Sequence, residues 1–294
     1  MRHVLGIDVG GTAIKHALVD KSGGLSRFGS TPTPEQDPEA TALIPAIARI
    51  VDAYAQETPH AVGVAIPGIV TAAGVAEFSS TLGFRNLDML ALLRDAISIP
   101  VFLVHDVTAG GIAEATTGAA RGEESAVLIQ IGTALAASVI VRGEVYHPHP
   151  AIGEIGHAPT VFDRPCPCGL RGCLEMSASG GAVSRNYEQL TGDKVSAEVI
   201  FQRAELGDSH ARDVHVEFLE SLGFALAWIS ALLGPDVIVI SGGMSIAGEP
   251  LLGHLESQLD QRLSVHKRPR LALSRLADSA GCAGAGIYAW RGLT

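Results

Sequence analysis

Three of the chain's four cysteines crowd into one short run, as Cys166, Cys168 and Cys173, with His157 a little upstream. No other stretch restricts the fold so tightly. One imidazole plus three thiolates is the tetrahedral shell that structural zinc prefers, and soft sulfur selects it over hard cations. The Cys-x-Cys-x4-Cys spacing differs from the common zinc-finger one. Three clustered thiols beside a histidine still suit a metal better than disulfide pairing. Gly169 and Gly172 permit tight bends between the ligands. Glu154 and Glu175 bracket the run, and a metal joining His157 to Cys173 would draw them together. Carboxylates beside an imidazole can accept hydrogen bonds from sugar hydroxyls, or they are two solvated surface glutamates.

The remainder reads as strands broken by glycine turns. Val4–Val9 is a buried-strand pattern, Gly10-Gly11-Thr12 a turn, and Ile14–Asp20 a returning strand. Asp8 before two glycines fits a phosphate loop as well as it fits a plain hairpin. In the loop, the amides of Gly10 and Gly11 and the Thr12 hydroxyl donate, Asp8 holds magnesium through water, and Lys15 adds a point charge. It is neither a Walker loop nor a G-x-G-x-x-G fingerprint. Pro38–Glu57 has helical spacing, and Pro45 within it predicts a kink or a later start. Ala61–Ile66 is a short strand that ends at Pro67-Gly68. Pro100–Val104 is another strand, running through His105-Asp106 into a small-residue helix, Thr108–Gly118. A carboxylate there sits where ligands gather in α/β sheets. It also sits where aspartate caps a helix.

Ser125–Ile131 and Leu135–Arg142 flank a second turn, and Gly132-Thr133-Ala134-Leu135 lines up with Gly11-Thr12-Ala13-Ile14. This weak repeat predicts two related strand–turn–strand lobes facing each other across a cleft. Ser177–Leu190, Ala197–Leu206 and His210–Leu233 read as helices, with His210 and His215 expected on the surface. Asp236–Ile240 is a buried strand ending at Ser241-Gly242-Gly243, either an open seat for a flat adenine ring or a simple turn. His266–Arg270 reads as a solvated basic loop. Ser279–Trp290, rich in Ala and Gly, should form a helix that packs very closely on the fold.

E-x-G-H followed by C-x-C-G-x-x-G-C-x-E resembles the signature of the ROK family, which joins sugar kinases with related repressors. The resemblance runs from Val4 to about Tyr288. It implies a two-lobe, ribonuclease-H-like (actin–hexokinase) α/β fold with a ligand cleft between the lobes. It implies structural zinc on His157, Cys166, Cys168 and Cys173, and sugar contacts from Glu154, His157 and Glu175. Gly68 and Asn86 match weaker sugar-side positions. Asp8, Gly10, Gly11, Thr12, Lys15, Gly132 and Thr133 correspond to the phosphate segments, and Gly242 and Gly243 to the nucleotide turn. Asp106 and Glu114 match the family's Asn-Asp-x7-Glu pattern, which makes Asp106 the general base. His105 stands where the family has the Asn, a sugar contact, so the hydroxyl pattern it reads can differ. Ala134, Ala136 and Ala137 replace a richer glycine run, which puts nucleotide or magnesium handling in question.

The activity implied is transfer from ATP, with magnesium, to the 6-hydroxyl of a hexose, glucose first. N-acetylmannosamine, N-acetylglucosamine and other hexoses are alternative acceptors, and a non-catalytic kinase-like sugar binder is the alternative of another class. Asp8–Lys15 also resembles polyphosphate-using glucokinases. The repressors carry a helix-turn-helix ahead of the kinase-like part, for which the first strand leaves no room. Relatives form homodimers or homotetramers.

A net charge of −10 and a pI near 5.5 argue against binding nucleic acid or an anionic membrane surface. No run of roughly eighteen apolar residues predicts a membrane span. The first residues lead straight into a strand with no secretory pattern. The clustered cysteines suit a reducing cytoplasm. Aromatics are only 5% against 47% hydrophobic residues, so the core should rest on Ala, Val, Ile and Leu. The expected division is a small lobe, 1–120, with the helix at about 280–294 packed on it, and a larger lobe, 121–294, carrying the zinc loop 157–173.

Overall fold

The computed structural model describes residues 2–293. In chain order the elements are β1 (Val4–Val9), β2 (Ala13–Val19), β3 (Leu25–Pro32), α1 (Leu43–Ala53), β4 (Val62–Ile66), β5 (Ile69–Val70), β6 (Ala76–Phe78), β7 (Arg85–Leu87), α2 (Met89–Ala96), β8 (Val101–His105) and α3 (Asp106–Thr116). They continue as β9 (Ser125–Ile131), β10 (Leu135–Val141), β11 (Glu144–Val145), α4 (Glu175–Ala178), α5 (Gly180–Thr191), α6 (Ala197–Glu205), α7 (Ser209–Leu233), β12 (Val237–Ser241), α8 (Gly248–Arg262), β13 (Arg270–Leu273) and α9 (Ala280–Gly292). The chain divides into two compact units. The first holds Met1–Arg121, Gly143–Ile152 and Leu276–Thr294, and the second Gly122–Arg142 and Gly153–Arg275.

In the first unit the sheet order is β3-β2-β1-β4-β8, with β1 antiparallel to β2 and parallel to β4, and β4 parallel to β8. Every residue of β4 is buried, as expected for a strand covered on both faces. Leu43, Ile47, Met89 and Leu93 from α1 and α2 fill one face. On the other face α9 lies so close that a Cβ on Gly63 would stand 1.9 Å from the Ala285 carbonyl oxygen. A Cβ on Gly284 would stand 1.7 Å from that of Ala109 in α3. The Ala/Gly content of α9 thus permits backbone-to-backbone packing, and Trp290 anchors its end by donating to the Val19 carbonyl at 3.0 Å.

α1 begins at Leu43, not at Pro38. Pro45 then falls in the first turn, where its missing N–H would have had no helical partner.

In the second unit β10-β9-β12-β13 repeat the order and directions of β2-β1-β4-β8. The helix expected over Ser177–Leu190 is two helices, because the Ser179 hydroxyl accepts the Ala182 N–H at 3.0 Å and caps a fresh start. α7 is long and apolar enough to cross a membrane, with a window of mean hydropathy 1.6. Its inner face, however, lies in the core through Ala211, Val214, Phe218, Leu222 and Leu226. Its outer flank shows Trp228 at 63% and Leu232 at 81% exposure.

Candidate functional site

Backbone bonds build the cysteine knot. Thr160 N–H donates to the Gly172 carbonyl at 2.6 Å and Leu174 N–H to that of Ala158 at 2.8 Å, laying two limbs side by side. Cys166 N–H donates to the Leu170 carbonyl at 2.9 Å, and Gly169 turns at φ +94°. The ligand atoms of His157, Cys166, Cys168 and Cys173 consequently all lie within 4.8 Å of one another. Cys166 Sγ is 3.7 Å from His157 Nδ1, and Cys168 Sγ is 3.6 Å from Cys173 Sγ, with no disulfide formed. Metal–sulfur bonds of about 2.3 Å give a tetrahedron with edges of about 3.8 Å, so the cluster has the dimensions of a tetrahedral metal site. Because Nδ1 faces the sulfurs, Nε2 of His157 is left on the far side of the ring. Arg164 forks Glu217 with two 2.7 Å bonds and so braces the loop on α7.

Glu175 opens α4, and its Oε2 accepts the Leu135 N–H at 3.0 Å. That bond ties the knot to the first residue of β10, two residues after Thr133. Glu154 stands on the entry limb, immediately before the 3-10 turn Ile155–His157.

In the first unit, Asp8 pairs in register with Ala65 and His105 with Ile66. Asp8, Pro67-Gly68 and His105-Asp106 therefore line the C-terminal edge of three parallel strands, the ligand edge of an α/β sheet. Asp106 is the first residue of α3, and its Oδ1 accepts the adjacent Val107 N–H at 2.7 Å. The bond satisfies one of the amides that the start of α3 leaves without a helical partner. His105 is buried, with Nε2 3.0 Å from the same Oδ1. Burial, then the charge of Asp106, push the Asp8 carboxyl up to about 7, with Lys15 pulling the other way. Lys15 Nζ is paired with Asp278 at 3.0 Å. That partner lies far along the chain and has no motif to announce it.

Gly11 and Thr12 are exposed, and Gly10 is held by its N–H to Ala13 and by Thr33 Oγ1 on its carbonyl. Gly68 has a positive φ of 111°, and Asn86 is exposed in β7. Glu114 is fully buried, and its Oε2 accepts the Ala119 N–H at 2.7 Å. That half of the motif is a structural clasp at the end of α3.

In the second unit, Gly132 accepts the Gly180 N–H at 2.8 Å, which sets the start of α5 against the Gly132-Thr133 turn. Ala136 and Ala137 sit in a regular ladder opposite Gln130 and Ile129. Neither they nor Ala134 take a positive φ, so the alanines bring no backbone strain. Gly242 does need its freedom: φ is +82°, and a Cβ would stand 2.5 Å from the Ile131 carbonyl oxygen.

Next to this turn, Gly243, Met244 and Ala247 line a cavity of about 220 Å³ together with Phe201, His215 and His254. Whole-ligand sites run to about 300–1,000 Å³, so this one is sized for one end of a ligand. Phe201 and His215 stack at 4.2 Å, and His254 meets His215 edge-on at 5.6 Å. His215, expected on the surface, is half-buried and lines this cavity. Burial, and next His254, hold its imidazole below the usual range. The lining comes from three helices and a turn, a gathering without local signature. The basic run is solvated and ion-paired, through Lys267 to Asp236, Arg268 to Asp260 and Arg270 to Glu123.

The ROK family model matches residues 4–291, and the chain belongs to the ROK family. It is 29% identical to a glucokinase of Halalkalibacterium halodurans, over 97% of this chain and 94% of that protein. Its fold is similar to the ROK hexokinase from Thermus thermophilus, with a TM-score of 0.87, 28% identity and 99% of each chain covered. It is also similar to a ROK family glucokinase from Streptomyces griseus in complex with glucose and AMPPNP, with a TM-score of 0.85, 25% identity, and 97% and 98% coverage. The fold is the two-lobe α/β actin–hexokinase type that the sequence resemblance implied.

Proposed function

We propose that this protein transfers the terminal phosphoryl group of ATP to the 6-hydroxyl of a hexose, glucose before others. Asp106 carries the proposal: a carboxylate at the ligand edge of the sheet, one-fifth exposed, with Oδ1 on the Val107 N–H. It accepts the hydroxyl proton as the new O–P bond forms, worth roughly 10²–10⁴-fold. Alignment and charge neutralisation supply the remainder. Gly10, Gly11, Thr12, Gly132 and Thr133 offer amides and hydroxyls to the phosphates. Asp8 would hold the magnesium that accompanies the nucleotide, and such an ion would supply neutralisation of phosphate charge. Lys15, already paired with Asp278, contributes to this region as half of an ion pair. The base of the nucleotide goes to the cavity beside Gly242-Gly243, where Phe201 offers an aromatic wall.

Glu154, His157 and Glu175 hold the sugar hydroxyls, with Gly68 and Asn86 as lesser contacts. Zinc on His157, Cys166, Cys168 and Cys173 keeps the loop in shape and takes no part in the chemistry. With Nδ1 beside Cys166 Sγ, Nε2 of His157 would be the ring nitrogen left to donate to sugar. Likeness to the glucokinases and to the structure with glucose and AMPPNP supports these assignments. A cytoplasmic homodimer or homotetramer fits the same reading.

The test is a coupled assay across glucose, mannose, fructose, N-acetylmannosamine and N-acetylglucosamine, with ATP and with polyphosphate. Turnover with glucose and ATP is expected. Absence of transfer to every hexose from either donor would overturn the proposal in favour of a sugar binder without turnover.

A further inference from the structure

Phosphoryl transfer depends on neutralising the anionic chain of the donor, yet Lys15 is already committed to Asp278 at 3.0 Å. Arg185 in the second unit has charge to give. The start of α5 sits on the Gly132-Thr133 turn, since Gly180 N–H donates to the Gly132 carbonyl at 2.8 Å. A Cβ on Gly181 would stand 2.6 Å from the Thr133 carbonyl oxygen, 3.3 Å from the Thr133 methyl and 3.3 Å from Nη1 of Arg185. Arg185 is about one helical turn beyond Gly181, and its side chain leans back toward the start of α5, as long helical side chains do. Its guanidinium thus lies over the glycine that packs on Thr133. The hold on it there is weak. Nη2 donates to Met176 Sδ at 3.7 Å, and a thioether is a poor acceptor. Arg142, Arg164, Arg171 and Arg203 of the same unit each pair with a carboxylate. Arg185 has no such pair among the described residues, and it is exposed.

We propose that Arg185 binds the phosphates of the nucleotide donor beside the Gly132-Thr133 turn, its N–H groups leaving the Met176 sulfur for phosphate oxygens. The inference rests on that turn being a phosphate segment, as the proposed function has it. A planar guanidinium offers two parallel N–H bonds to a phosphate, which fixes the orientation of the anion as well as offsetting its charge. Met176 in α4 and Gly181 in α5 keep the fork close to the turn, and neither competes with a phosphate for it.

The variant R185Q removes the charge and alters only an exposed side chain, so the core is untouched. Calorimetry with ADP and magnesium, and separately with the hexose, reads binding, while the coupled assay reads turnover. R185Q should bind ADP about 10–100-fold more weakly, the cost of hydrogen bonds to a charged group. Its kcat/KM for ATP should fall at least about tenfold, and its Kd for the hexose should stay within about threefold. Added salt should weaken ADP binding more in wild type than in R185Q, because only wild type has this charge to screen. Native ADP affinity and native kcat/KM for ATP in R185Q would overturn the inference. Equal losses of ADP and hexose affinity would overturn it too, by making Arg185 a structural residue. Wild type that neither transfers to any hexose nor binds ADP would remove the proposed function and this inference together. ADP binding without transfer, weakened in R185Q, would remove the proposed turnover and leave the inference standing.

Discussion

Two carboxylates on one strand edge make opposite demands. Asp106 needs a free lone pair to take a proton, while Asp8 is enclosed enough to keep one. An unfolded aspartate loses its proton near 3.8, whereas Asp8 in the fold holds it up to about 7. Between those values the folded state binds more protons than the unfolded one, so stability falls as pH rises from about 4 to about 7. D8N abolishes this loss. In buffer without magnesium or nucleotide, urea denaturation should find D8N gaining on wild type at pH 8 and losing most of that gain at pH 5. An equal difference at both pH values would contradict the shift.

For D106N, kcat should drop by roughly 10²–10⁴-fold while hexose binding, measured by calorimetry, stays nearly unchanged. Equal turnover in D106N and wild type would remove Asp106 from its role. At this scale the chain itself displays the titratable side chains. It does not display Asp278 beside Lys15, since that pairing depends on where a distant turn is held.

At the scale of elements, α9 and the cysteine knot carry the most. α9 meets α3 and the sheet at distances that admit no side chain, so G284V should cost at least about 1–3 kcal/mol by overpacking. Chemical denaturation of the folded variant, or its failure to accumulate, reads this out. A stability within a few tenths of wild type would refute the close approach.

The knot should bind one zinc per chain. C173S should lose that metal, melt lower and bind hexose more weakly, because metal binding here is also loop folding. Metal analysis, a melting curve and calorimetry on one preparation check all three. A metal-free protein with native hexose affinity would disprove the structural role.

Ser179 shows what pattern alone misses. Helical periodicity runs through it, yet a hydroxyl placed to accept the Ala182 N–H ends one helix and begins another. Pro45 shows the reverse, since a residue that forbids a helix interior does locate its start.

For the molecule as a whole, the strand–turn–strand repeat is the organising fact. β1-β2 and β9-β10 open two units whose sheets share one order of strands. A ligand that binds only the folded chain stabilises it by mass action, about 2.7 kcal/mol at a hundredfold excess over Kd. The true acceptor should therefore raise the melting temperature by several degrees, and the sugars that are not substrates should not. A flat panel, with glucose included, would count against hexose binding.

The chain alone determined the ligand chemistry of the knot, the glycine turns, the carboxylate at a strand end and the α/β class. Each of these depends on residue type and short spacing, which survive without neighbours. Only the tertiary structure decided that Lys15 pairs with Asp278, that α9 meets Gly63 and Ala109 backbone to backbone, and that His215 stacks on Phe201 in a cavity. Those outcomes join residues from separate elements, and burial and distance at such junctions are set by packing that no local pattern encodes.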